Sequence, residues 1–474
     1  MRTRTKIICT IGPAVSSYAK ILELIDAGMN VARLNFSHGT HAEHLEVIES
    51  LKKARIEKQV PLAIMLDTKG PEIRVGKMLN DQVELKSGQS LILVKDPVIG
   101  DSRQINITPP IVIDNIKVGD TVLFDDGYII SKATQKTEKG VTLEIQNSGV
   151  LKSHKGVNIP GSHIELPAMT DQDIEDIVFG CKQDVDIIAA SFIRSPAHVI
   201  EIKDLLKAQD KSAILVIAKI ENAQGVENFD QIIKVADGIM VARGDLGVEL
   251  PLKRVPILQK MMIKKCYLAC KPVVVATQML ESMIKNPRPT RAEVSDVANA
   301  IYDSTSCVML SGETAVGLYA IEAVKMMKSI IEETEANVDY RGFFEDTSKK
   351  DFHDVSSSVS LAAVQTAYSA QAKAIFAFTH SGFTVRLISR YRPLMPVIAL
   401  TSNPKIYHQM SLNWGVIPLP PADAKNVEEA FKMVCKYSLK EGLLKEGDLV
   451  VVSAGSPFGI SGTTNMMMVK TVQT

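Results

Sequence analysis

The most constraining feature of this chain is an alternation. Short β-branched runs recur at Lys6–Thr10, Met29–Leu34, Leu62–Leu66, Asp186–Ala190, Ile214–Ala218, Gly238–Val241, Pro272–Ala276 and Cys307–Leu310. They lack apolar/polar alternation, as parallel strands do when both sheet faces are covered. Helix-patterned segments lie between them. Tyr18–Ala27 puts Ile21, Leu22, Leu24 and Ile25 on one face. Thr40 with Glu43 has capping-box spacing, and Thr170 with Asp173 and Thr290 with Glu293 repeat it, so a helix is predicted to start at each. Eight strand–helix units predict an α/β fold of the (β/α)8 TIM-barrel type.

Two stretches break the pattern. Gly70 to Leu166 is rich in Val, Ile, Thr, Gly and Asp, with turns at Lys86-Ser-Gly, Val118-Gly-Asp, Asp125-Asp-Gly and Glu138-Lys-Gly. It reads as a small β-barrel domain inserted into a loop of the large barrel. Tyr340–Asp354 mixes charge, Gly and Phe and reads as a connector. Beyond it, strands are predicted at Ala374–Thr379, Pro396–Leu400, Gly415–Pro418, Asp448–Ser453 and Asn465–Val469, which suits an open doubly wound α/β sheet. The expected organisation is a discontinuous barrel at 1–69 and 167–339, a lid at 70–166, and a regulatory α/β domain at 355–474.

Charge narrows the function. The 54 Lys and Arg are matched by 54 Asp and Glu, so no global basic excess exists to neutralise nucleic-acid phosphates. A 46% hydrophobic content argues against disorder. The six cysteines contain no C-x-x-C pair and read as reduced thiols. The N-terminal apolar run is short and stops at Gly12-Pro13, unlike a signal peptide. No charge-poor run approaches the roughly 18 apolar residues of a spanning helix. A soluble cytoplasmic protein is expected, with neither nucleic acid nor a membrane as partner.

Active sites in such barrels occupy the C-terminal strand ends. There the sequence delivers Arg33, Asn35 and Ser37, then Asp67 and Thr68, Ser191, Lys219 and Glu221, Arg243, Gly244 and Asp245, Thr277, and Ser311 with Glu313. Glu221 and Asp245 supply the hard oxygens of a divalent-cation site. Arg33, Lys219 and Arg243 bring positive charge suited to a phosphorylated anion. Carboxylates that hold a metal amid cations suit phosphoryl transfer. Asn35, Ser37, Asp67 and Thr68 could hold a monovalent cation, or could simply form a hydrogen-bonded rim. His38, His41 and His44 read as solvated helix-start residues rather than a zinc site. Neither G-x-G-x-x-G nor G-x-x-x-x-G-K-[ST] occurs. In the last domain, Thr379-His380-Ser381-Gly382-Phe383-Thr384 follows a strand and opens a helix, the setting of an anion site or of a plain turn. The Gly- and Ser-bearing Gly455–Gly462 could close over it.

Seven strings carry a resemblance. They are MNVARLNFSHG at 29–39, LDTKGPEIR at 66–74, KGVNIPG at 155–161, AKIEN at 218–222, MVARGDLGVE at 240–249, ATQMLESM at 276–283 and MLSGET at 309–314. The chain resembles the pyruvate kinase family along its whole length. The resemblance is to bacterial-type members without an extra C-terminal domain. It implies phosphoryl transfer from phosphoenolpyruvate to ADP, giving pyruvate and ATP, the last step of glycolysis. It implies that Lys219 contacts the phosphoryl group in flight and that Arg33 contacts phosphate. By the same likeness Glu221 and Asp245 hold Mg²⁺ (or Mn²⁺), with Gly244 and Thr277 at the substrate. Asn35, Ser37, Asp67 and Thr68 bind K⁺, and Glu72 agrees with the K⁺-dependent branch. Arg74 and Lys155 approach the nucleotide, with which a second Mg²⁺ arrives. Thr277 and Ser311–Glu313 flank the face where the enolate is protonated. Thr379, Ser381, Gly382 and Thr384 match the phosphate loop of an allosteric site for a sugar phosphate or AMP-type effector. A homotetramer is implied as well. Two rivals remain: a metal-dependent lyase acting on an enolpyruvate, and a non-catalytic sensor using the C-terminal pocket.

Overall fold

The computed structural model describes residues 3–162, 164, 166–350, 353–458, 462 and 464–473. Eight parallel strands form the large barrel: β1 (Lys6–Thr10), β2 (Val31–Asn35), β3 (Ala63–Asp67), β4 (Ile187–Ala190), β5 (Leu215–Ile220), β6 (Gly238–Ala242), β7 (Val273–Ala276) and β8 (Cys307–Leu310). Each pairs with its sequence neighbour, and β8 closes on β1 through Lys6–Cys307 to Cys9–Leu310. The missing alternation now has a cause. Ile8, Val31, Met65, Ile217, Met240 and Val274 fill the interior. Ile7, Cys9, Ala32, Leu34, Ile64 and Leu66 face the helices outside. Helices start where the caps predicted: Thr40, Thr170 and Thr290 each form a reciprocal capping box with Glu43, Asp173 and Glu293.

The insertion has its own apolar core, including Leu91, Leu93, Phe124, Val141 and Leu143. Its main sheet has seven strands, running from Val157–Asn158 at one edge to Arg74–Val75 at the other. Those edges meet. The Val75 N–H donates to the Lys155 carbonyl at 2.9 Å, and the Val157 N–H to that of Ile73 at 2.8 Å. The sheet thereby closes into a small barrel that meets the segments following β4, β5 and β6.

The C-terminal sheet has the order β11 (Val416–Pro418), β10 (Val397–Leu400), β9 (Ala374–Phe378), β12 (Leu449–Gly455) and β13 (Thr464–Thr471). Four strands are parallel, but β13 is an antiparallel edge on β12. This sheet is docked against the N-terminal end of the large barrel. Leu412 joins the barrel-interior cluster from below, and Lys6 Nζ donates to the Val416 carbonyl at 2.8 Å. Leu412→Ala would open a cavity under the barrel floor. A stability loss of about 3 kcal/mol is expected, read as a lowered melting temperature; an unchanged one would contradict the plug.

Candidate active site

The C-terminal ends of β2 to β7 bring an ion network to one rim. Asp67 ends β3 and is fully buried. Its Oδ2 lies 2.5 Å from Arg33 Nε and its Oδ1 lies 2.9 Å from Lys219 Nζ. Thr10 Oγ1 accepts from the Arg33 guanidinium at 2.9 Å and fixes its tilt. Lys219 also donates to Ser191 Oγ at 2.6 Å and lies 3.1 Å from Glu221 Oε1. The other Glu221 oxygen accepts the Phe192 N–H at 2.6 Å. Burial disfavours the Lys219 ammonium, yet the Asp67 and Glu221 charges outweigh it and hold its pKa above the usual range. Burial likewise works to raise Asp67, but Arg33 and Lys219 hold it ionised, below the usual range.

Asp245 differs. It sits in the first turn of a short helix, Arg243–Glu249. Burial, and then repulsion from Glu221, pushes its pKa up to about 7. Two carboxylates with too little compensating charge make a place for a cation. Glu221 and Asp245 therefore fit a divalent ion, with remaining positions left to substrate and water oxygens. No group of three or more His, Cys, Asp or Glu placed to hold a metal occurs among the described residues. Asn35 lies opposite Asp67 in the β2–β3 register, Asn35 Oδ1 accepts the Ser37 N–H at 3.2 Å, and Thr68 follows Asp67. Three neutral side-chain oxygens with one carboxylate suit a monovalent ion.

Thr277 follows β7 in a left-handed conformation (φ 70°), a strained choice for a β-branched residue. It thereby accepts the Gly244 N–H at 2.8 Å while its hydroxyl donates to the Ala276 carbonyl at 2.6 Å.

Two residues of the expected site have partners of their own. Arg243 reaches the rim, but its guanidinium is held by Asp296 at 2.7 Å and by the Ala276 and Thr277 carbonyls at 3.2 and 2.7 Å. It ties the β6 and β7 loops together rather than joining the Lys219 cluster. Glu313 is fully buried, and its two oxygens accept the Leu280 N–H at 3.0 Å and the Ser311 N–H at 2.7 Å. It fixes the β7 and β8 loops instead of flanking open space. Glu313→Gln would face an amide N–H toward a backbone N–H. A loss of about 1–3 kcal/mol is expected, visible as a lower melting temperature. Unchanged melting would show that the carboxylate is not an anchor.

The histidines are more ordered than expected. His44 stacks on Phe36 at 4.0 Å and bonds the His38 carbonyl at 2.9 Å; His41 stacks on Phe179 at 4.4 Å and meets Asp176 at 2.7 Å.

Between the insertion and the rim lies a cavity of about 270 Å³. Arg74 and Lys155 line it from the insertion; Arg194, Asn222, Asp245 and Glu249 line it from the barrel. Arg74 is braced by Glu72 at 2.5 Å and Lys155 by Asp125 at 2.8 Å. Asn158 Nδ2 donates to Glu249 Oε1 at 2.8 Å, bridging insertion and barrel. Sequence reasoning missed Thr10, Arg194 and Asp296. Arg194 had a signal, since it follows β4 directly in the string SFIR.

In the C-terminal domain, Thr379, Ser381, Thr384, Lys425 and Thr464 line a cavity of about 170 Å³. Gly382 (φ 75°) makes the left-handed turn into the following helix, and Thr384 and Thr464 hydroxyls meet at 2.6 Å. Of the segment Gly455–Gly462, residues 459–461 lie outside the described set.

The fold and rim together define a (β/α)8 barrel with charged side chains gathered at its C-terminal strand ends, beside a small inserted β domain. Family models place the chain more closely. Residues 2–324 match "Pyruvate kinase, barrel domain" and residues 357–470 match "Pyruvate kinase, alpha/beta domain". A pyruvate kinase of Geobacillus stearothermophilus is 46% identical over 474 residues, covering 100% of this chain and 81% of that protein. A pyruvate kinase of Clostridium acetobutylicum is 44% identical over 471 residues, covering 99% of this chain and 100% of that protein. The crystal structure of a Cryptosporidium parvum pyruvate kinase superposes with a TM-score of 0.95 at 37% identity, over 100% of this chain and 97% of the other. The chain belongs to the pyruvate kinase family, and is thus an enzyme of the phosphotransferase class. No helix among the described residues is long and apolar enough to cross a membrane.

Proposed function

We propose that this rim transfers the phosphoryl group of phosphoenolpyruvate to ADP, with Mg²⁺ and K⁺ required. The reading is carried by one observation. The Lys219 ammonium is held between Asp67, Ser191 and Glu221 at the strand ends, beside a lid cavity that bears Arg74 and Lys155. In-line transfer needs charge placed where it develops, not a covalent enzyme group. Lys219 and Arg33 supply that charge on the barrel side. Arg74 and Lys155 bind the polyphosphate of the nucleotide from the lid. Bound at Glu221 and Asp245, Mg²⁺ or Mn²⁺ supplies Lewis-acid charge to phosphoryl and carbonyl oxygens. Asn35, Ser37, Asp67 and Thr68 hold K⁺. Thr277 and the Gly244 N–H orient the substrate. Thr277 and Ser311 border the face where the enolate takes its proton, through water. The lid excludes water from the transferring group.

The boundaries 69/70, 166/167 and 339/355 separate barrel, lid and C-terminal domain in this reading. The cavity at Thr379, Ser381 and Thr384 takes a phosphorylated metabolite as activator, and Gly382 sets its turn. The working form is a cytoplasmic homotetramer. Omitting each component in turn from a coupled assay tests the cation requirement. Pyruvate formation should need ADP, a divalent ion and K⁺ together. Full activity without K⁺, or without ADP, would refute it.

A further inference from the structure

A second cationic centre lies away from the rim, where the C-terminal domain meets the floor of the barrel. Two adjoining cavities there share Lys271, Pro272, Arg386 and Asn413. Lys271 comes from the barrel, just before β7. Arg386 comes from the helix Phe383–Ser389 of the C-terminal domain, and Arg390 and Arg392 follow it. All four cations line the smaller cavity, and Lys271 and Arg386 line the larger one. Arg390 and Arg392 are 6% and 3% exposed.

The counter-charge is poor. Asp237 lines the larger cavity, but its oxygens are committed to Lys203 Nζ and the Val216 N–H, both at 2.9 Å. Arg386 and Lys271 make bonds to backbone carbonyls: to Ser381 O at 3.2 Å and Ala236 O at 2.8 Å. Arg390 Nε donates to the neutral thiol of Cys270 at 2.7 Å. Arg392 stacks on Trp414 at 4.9 Å, and its buried Nε has no hydrogen-bond partner. Burial lowers the pKa of Lys271, Arg386 and Arg392, the last to about 10; the Asp237 carboxylate only partly offsets this at Lys271 and Arg386. Lys271 and Arg386, buried together with one shared carboxylate that is already bonded to Lys203, carry an excess of positive charge that a bound anion would offset.

We propose that this interdomain cleft binds a phosphate-type oxyanion, free or as the head of a phosphate monoester. The larger cavity measures about 50 Å³, room for a single tetrahedral oxyanion but not for a whole sugar or nucleotide. Guanidinium groups match its oxygens by geometry as well as charge. The site is separate from the effector cavity but borders it, because Ser381 lines both. On the barrel side, Lys271 leads into β7, which Thr277 follows. A bound oxyanion thus ties the effector loop to the base of a strand that carries a rim residue. The proposal does not rest on the function assigned to the rim.

Calorimetric titration of the full chain with inorganic phosphate, at constant ionic strength set with chloride, tests it. Binding is expected, with a rise in melting temperature. Arg386→Gln should weaken the affinity at least tenfold, and Lys271→Gln, from the other domain, should do the same. Thr384→Val, which alters only the effector cavity, should leave unchanged the part of phosphate binding that Arg386→Gln and Lys271→Gln remove. A parallel titration with glycerol 3-phosphate separates the sources: binding there identifies a monoester head, and its failure beside phosphate binding identifies the free ion. No phosphate binding by the wild type, or unchanged binding in both Arg386→Gln and Lys271→Gln, overturns the proposal. So does loss of binding in Thr384→Val alone.

Discussion

Lys219→Met is expected to fold and to lose phosphoryl transfer by roughly 10³-fold. Lys219 is the only cation bonded at once to Asp67, Ser191 and Glu221 among the described residues. Folding should survive, because Arg33 still neutralises Asp67 at 2.5 Å and the Phe192 N–H still holds Glu221. The two half-reactions should separate. Charge on the phosphoryl group needs Lys219, whereas proton exchange at the methyl carbon of pyruvate does not. Solvent-deuterium exchange into pyruvate, followed by NMR, should therefore continue while ATP formation falls. Transfer at the wild-type rate would remove Lys219 from the mechanism. Loss of both activities in a folded variant would show that Lys219 serves binding alone.

The second large effect is expected from Asp245→Asn. An amide is a weaker ligand than a carboxylate, and losing even an outer partner of a metal costs roughly 10- to 100-fold in affinity. Mn²⁺ affinity should fall at least roughly hundredfold, with transfer falling in parallel. The titration of Asp245 adds a pH signature. Its pKa near 7 in the metal-free protein means that binding displaces a proton at lower pH. Mn²⁺ affinity should rise roughly tenfold from pH 6 to pH 8, and Asp245→Asn should flatten that slope. The stability effect has the opposite sense. A folded pKa raised above the unfolded value means that the folded state holds the proton more tightly, so stability declines as pH rises toward 7. The metal-free variant should thus melt higher than wild type at pH 8. A lower melting temperature there would mean that Asp245 is a structural anchor, not a cation ligand.

Most of the architecture was legible because the barrel imposes a period on the sequence. Buried parallel strands are apolar on both faces, so β1 to β8 stood out within a residue or two of their ends. Threonine caps marked the helix starts at residues 40, 170 and 290 because the box satisfies two backbone donors locally. The antiparallel direction of β13 was not legible, since its run of methionines and polar residues looks the same in either direction. The site was half legible. Which residues follow each strand is written in the chain, and Lys219, Asp67 and Glu221 do meet. Where each side chain then turns depends on partners far away in sequence. Arg243 turns to Asp296, and Glu313 takes the Leu280 N–H of the β7 loop as well as the Ser311 N–H of its own. Thr10 was missed for the same reason. The cation cluster at the barrel floor was also invisible, because its members come from two domains.

The most direct test of the rim's function follows the phosphoryl group itself. Purified full-length chain would be given phosphoenolpyruvate labelled in the phosphoryl group, with ADP, Mg²⁺ and K⁺. The label should appear in the γ-phosphate of ATP, mole for mole with pyruvate, and little should be released as inorganic phosphate. Label recovered as inorganic phosphate, or pyruvate formed at the same rate without ADP, would contradict a transferase and point instead to a metal-dependent lyase or hydrolase on the same barrel.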